Sequence, residues 1–101
     1  DYGLGDQLVH VKAGIARTAA GGLAGSTLTL NQAVQNTVRY GKEYAGLTVN
    51  QVLAMATSTP ARLLGLEGKK GSLSPGSDAD IVLFDPQFQV KNVMVAGTMM
   101  L

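Results

Sequence analysis

The 101-residue chain contains no cysteine, which excludes disulfides and thiolate metal sites and leaves the redox compartment open. It holds a single histidine, His10, so a histidine metal cluster or a histidine-based triad would need partners from outside it. Charge is scarce as well, at 15% of residues against the usual quarter or so. The basic residues Lys12, Arg17, Arg39, Lys42, Arg62, Lys69, Lys70 and Lys91 are scattered rather than gathered. With a net charge of +1 and only 5% aromatics, no nucleic-acid footprint is expected. No apolar run reaches about 18 residues, and no charged segment leads into a short apolar one, so neither a membrane span nor a signal peptide is expected. Apolar residues are what the chain has in plenty, at 46%. Faces that rich in apolar groups stay sticky unless something covers them, and self-association as a homo-oligomer is expected.

Hydrophobic periodicity and punctuation divide the chain. Residues 7–11 and 14–18 predict a hairpin turning at Lys12-Ala13-Gly14. Gly21, Gly22 and Gly25 are expected to break regular structure. Thr29-x-x-Gln32 reads as a capping box, followed by Leu30, Ala33, Val34, Thr37 and Val38 at helical spacing, with Gly41 as a candidate end. A second box, Thr48-x-x-Gln51, opens a helix with Val49, Val52, Leu53 and Ala56 on one side. Thr59-Pro60 predicts a short third helix with threonine capping and proline first, stopped by Gly65. Beyond it the period changes. Pro75-Gly76 signals a turn into a buried strand over 79–84, and residues 90–96 and 98–101 predict two more strands joined through Gly97. Hairpin, helices and then strands make an α+β arrangement.

Candidate chemistry is thin. His10 is expected on an exposed strand face. Asp78 and Asp80, two apart, could form an acid/base pair, but aspartates at a strand entry more commonly bond local amides. Ser26, Thr27, Thr29, Ser58 and Thr59 sit in no nucleophile elbow and read as caps. The glycines from Gly21 to Gly25 are not followed by Gly-Lys-Ser/Thr, which argues against a P-loop. Their bare backbone can still approach a ligand closely. Met94, Met99 and Met100 read as core filling, and Lys69-Lys70 as a solvated turn.

Gly22-Leu23-Ala24-Gly25-Ser26-Thr27-Leu28-Thr29 resembles the N-acetylglucosamine-6-phosphate deacetylases of the amidohydrolase superfamily. The resemblance continues through Val52 to Thr57, Pro60 to Leu66, Gly71 to Leu73, Gly76 to Val82 and Val93 to Gly97, and covers essentially the whole chain. It implies the last third or so of a metal-dependent (β/α)8 barrel enzyme; a whole barrel needs about 250 residues. Residues 1–66 would be the closing part of the barrel domain, and residues 67–101 strands of a small β-sandwich. The implied reaction frees acetate from N-acetylglucosamine 6-phosphate in the cytoplasm, leaving glucosamine 6-phosphate. Leu23, Ala24 and Gly25 would line the sugar pocket. No catalytic residue and no ligand for the divalent metal ion, zinc, iron or similar, falls within the chain by this resemblance, and Asp1 does not match the catalytic aspartate. Taken alone, the chain is expected to be inactive, with the remainder of the same enzyme as its partner. Arg62 and Asp80 match structural positions. Thr18-Ala19-Ala20-Gly21-Gly22 departs from the aspartate-glycine turn usual there. The alternatives are the tail of a dihydroorotase-like or adenine-deaminase-like amidohydrolase, and a non-catalytic assembly module.

Overall fold

The computed structural model describes residues 2–5 and 7–101, and Asp1 lies outside them. The first unit is a four-stranded antiparallel sheet of β1 (Tyr2–Leu4), β2 (Gln7–Lys12), β3 (Ile15–Thr18) and β4 (Leu23–Gly25), in sequential order. The predicted hairpin is its centre. Ala13 and Gly14 turn with φ of 54° and 75°, the paired positive values that a two-residue type I′ turn needs to match strand twist. In the ladder His10 faces Arg17 and Val11 faces Ala16.

Three helices follow: α1 (Leu30–Ala45), α2 (Val49–Ala56) and α3 (Ser58–Leu63). Gly41 does not end α1. The helix continues to Ala45 and is closed by Gly46 in the left-handed region, φ 65°, because Leu47 N–H turns back to the Gly41 carbonyl. Only one of the two expected capping boxes forms. Thr48 Oγ accepts from Gln51 N–H at 3.2 Å while Gln51 Oε1 accepts from Thr48 N–H at 2.8 Å. Thr29 makes no side-chain cap, and Gln32 Nε2 donates to Gln35 Oε1 and Asn36 Oδ1 further along the helix. The α3 start is also displaced. Thr57 is the N-cap and Pro60 stands third in the helix, where the amide it lacks would still have been free.

The second sheet is β5 (Ile81–Phe84), β6 (Val90–Val95) and β7 (Thr98–Met99), all antiparallel. The β6–β7 turn repeats the first hairpin's chemistry, with Ala96 and Gly97 at φ 49° and 81°. Between β5 and β6, Asp85 Oδ1 accepts from Gln87 and Gln89 N–H, both at 2.9 Å. These bonds hold its carboxyl below the ordinary 3.8, Gln89 N–H contributing most. The turn also stacks Phe84 on Phe88 at 5.0 Å, and Asn31 of α1 donates to the Phe88 carbonyl at 3.0 Å.

Burial is where expectation and structure part. The strand over 79–84 was expected to be buried, yet Val82, Leu83 and Phe84 are all exposed here, as are Met99 and Met100, expected in the core. Among the described residues the buried apolar set is Val9, Ala16, Val52 and Ala61. The chain exposes 7500 Å², about 2,000 Å² more than the roughly 5,400 Å² of a compact monomer of this mass. Its radius of gyration is 16.8 Å, against about 13 Å for a compact domain of this length. The physical reason is plain: the apolar stripes are correct for their elements but have no facing layer within this chain. No described helix is long and apolar enough to cross a membrane.

Candidate functional site

The segment Leu23-Ala24-Gly25, expected to be irregular, is the edge strand β4. Thr18 and the glycines after it fold the chain back tightly, with Thr18 N–H bonded to the Gly22 carbonyl at 2.8 Å and Gly21 N–H to the Thr18 carbonyl at 2.9 Å. A register shift between Ala16 and Arg17 then lets Leu23 pair with Arg17 and Gly25 with Ala16. One side of this strand is open. Leu23 is 74% exposed. Gly25 has no described atom within 4 Å of where a Cβ would stand, and its φ is not positive, so nothing among the described residues requires glycine there. The Ala24 side chain lies outside what the structure describes.

The other expected residues fall elsewhere. His10 lies on an exposed strand face, as its alternation implied, directly across from Arg17. Asp78 and Asp80 do come together, though not as an acid/base pair. Lys70 Nζ sits 3.0 Å from Asp78 and 2.6 Å from Asp80, which overturns the reading of Lys70 as a merely solvated turn residue. Asp80 Oδ1 also accepts from Ala96 N–H at 2.8 Å, tying the 66–80 loop to the β6–β7 turn. Lys70 first and the Ala96 amide second hold the Asp80 carboxyl below 3.8, and Asp80 followed by Asp78 raises the Lys70 ammonium above 10.5. A carboxylate so held is a poor proton acceptor near neutrality; the cluster is a clasp. Sequence spacing put the two aspartates two residues apart, but nothing local named Lys70 as their partner.

A cavity of about 360 Å³ is lined by Ser58, Arg62, Glu67, Gly68, Lys70, Gly71, Ser72 and Ser74, away from β4. Arg62 lies among its lining residues and is exposed. Among the described residues no three His, Asp or Glu side chains gather as a metal ion would require, so these donors do not fit a metal.

Residues 8–100 match the amidohydrolase family. The chain belongs to that family. It is 42% identical over 96 residues to a putative N-acetylgalactosamine-6-phosphate deacetylase of Escherichia coli strain K12, covering 95% of this chain and 55% of that protein. It is 38% identical to the N-acetylglucosamine-6-phosphate deacetylase of Vibrio furnissii, over 95% of this chain and 23% of that one. Among solved structures, the Mycobacterium smegmatis N-acetyl-D-glucosamine-6-phosphate deacetylase, a mutant in complex with N-acetyl-D-glucosamine 6-phosphate, is 37% identical with a TM-score of 0.74. That match covers 97% of this chain and 26% of the other. This amidohydrolase chain thus spans about half the length of the first of these relatives and about a quarter of the other two.

Proposed function

We propose that this chain is the part of a metal-dependent deacetylase that shapes one wall of the sugar pocket. The reaction is hydrolysis of the acetamide of N-acetylglucosamine 6-phosphate to glucosamine 6-phosphate and acetate. The relatives' names support this substrate class, and the open side of β4 carries the assignment to these residues. No described atom occupies the space where a Gly25 Cβ would stand, which leaves bare backbone there for a ligand to approach. Leu23 and Ala24 would supply shape beside it. Residues 1–66 are read as the closing part of the barrel domain and 67–101 as strands of a small sandwich.

The chemistry is divided. A divalent metal, held by residues outside this chain, supplies carbonyl polarisation and an activated water when bound. This chain's own residues orient the sugar: the β4 backbone meets it at Gly25, and the Leu23 side chain excludes water from one side. Alone the chain is inactive. The same reading takes the remainder of the enzyme as its partner, a homo-oligomer as the working state and the cytoplasm as its site.

The test is a chimera in which residues 1–101 replace the matching segment of the Vibrio relative. Acetate release is expected from N-acetylglucosamine 6-phosphate, with the galactosamine epimer assayed in parallel. Gly25→Ala should lower kcat/KM about tenfold or more while leaving the melting temperature unchanged. A well-folded chimera that frees acetate from neither sugar phosphate would refute the reading.

A further inference from the structure

The β4 ladder is a short one, fed by a turn that two backbone bonds between Thr18 and Gly21 and Gly22 close. It is three residues long, at a sheet edge, and pairs with β3 through two registered positions with a shift between them. Additional ties reach it from both ends, and both run to the same hairpin. Upstream, Arg17 Nη1 donates to the Gly21 carbonyl at 2.9 Å, closing the turn that feeds β4. Downstream, the Thr27 hydroxyl makes a short hydrogen bond to the Gly14 carbonyl, at the tip of the β2–β3 turn thirteen residues away. Leu28 N–H then bonds the Ser26 hydroxyl at 3.0 Å, so the chain leaving β4 is bent before α1 begins. The absence of a side-chain cap at Thr29 means the α1 start does not do this work.

We propose that Arg17 and Thr27 are positioning residues for the substrate-facing segment Leu23 to Gly25, clamping it to the β2–β3 hairpin from either end. The proposal rests on the reading of that segment as substrate-facing. Neither side chain needs to touch the sugar. Each removes a freedom that a bare three-residue edge strand would otherwise keep, so binding does not have to order the strand. Such a role lowers KM by pre-organisation and leaves the bond-breaking step to groups elsewhere.

Two measurements test it. In this chain itself, backbone 15N relaxation should show order parameters near about 0.85 for residues 22–26, falling towards about 0.6 in Thr27→Val with little change in melting temperature. Thr27→Ser, which keeps the hydroxyl, should restore them, and Arg17→Met should loosen residues 20–23 where Arg17→Lys does so less. In the chimera, Thr27→Val should raise KM about 3- to 10-fold with kcat within twofold, the size expected for one lost hydrogen bond. Order parameters unchanged in both Thr27→Val and Arg17→Met, or kcat falling in step with any KM change, would overturn the clamp. A chimera without activity would sink the substrate reading alone, because the relaxation measurement decides the clamp by itself. Should Thr27→Val unfold the chain, Arg17→Met and Arg17→Lys carry the same comparison.

Discussion

Gly71→Ala should be among the most damaging single-methyl changes in this chain. Gly71 lies at φ +86°, and an added Cβ would stand 2.7 Å from Ala61 Cβ and 2.8 Å from the Thr57 carbonyl oxygen. The left-handed backbone alone costs a non-glycine residue about 1–2 kcal/mol. The collision adds to it, because Thr57 is the backbone N-cap of α3 and Ala61 is one of the few buried side chains, so neither can swing aside. Overpacking of this kind costs about 1–3 kcal/mol, for a total of about 2–5 kcal/mol. At about 4–8 °C per kcal/mol for a domain near this size, the melting midpoint should fall by at least about 8 °C. Gly68 supplies the control. It has a similar φ of +82° with nothing within 4 Å, so Gly68→Ala should show the backbone strain without the collision. Paired thermal melts followed by far-ultraviolet circular dichroism separate the two contributions. Coincident midpoints for Gly68→Ala and Gly71→Ala would refute the packing argument.

Thr48→Ala should cost about 1 kcal/mol by removing a formed capping box, whereas Thr29→Ala should cost much less; urea midpoints of the two variants check the contrast. Ala96→Asn should raise stability by a few tenths to about 1 kcal/mol, since asparagine tolerates the left-handed conformation that Ala96 adopts, and the same melts would show it. The Asp80 clasp is acid-sensitive in one direction. Its carboxyl is held below 3.8 in the folded chain, so its contribution is present above 3.8 and is lost as the pH falls through the lower folded value. Carboxyl 13C titration should place its midpoint below 3.8, and Asp80→Asn should loosen the β6–β7 turn at neutral pH, read as faster exchange of the Ala96 amide.

Local chemistry made much of the fold legible in advance. The β2–β3 hairpin, the α2 capping box, the Gly65 stop and the Gly97 turn each depend on side chains within a few residues of one another, so reading neighbours was enough. Where two local outcomes competed, the same reading failed. Gln32 could reach back to Thr29 or forward to Gln35 and Asn36, and it went forward. Gly21 and Gly22 stayed irregular as expected, but Leu23 to Gly25 could do the same or pair as a strand, and the β3 edge recruited them.

The candidate site followed the same division. Its motif, Leu23 to Thr29, was visible as a run of residues, because glycine beside small and hydroxyl side chains has a local signature. The ties that hold it, Arg17 to Gly21 and Thr27 to Gly14, and the clasp of Lys70 on Asp78 and Asp80, were not. Sequence by itself determined which residues form helices, hairpins and turns, because those are short-range contests of backbone geometry and capping. Only the tertiary structure decided which carbonyl a free hydroxyl or guanidinium would find, and which apolar faces would go without a covering layer. Both depend on how turns, strands and layers meet in space, even where the partners stand only four residues apart, as Arg17 and Gly21 do, or thirteen, as Thr27 and Gly14 do.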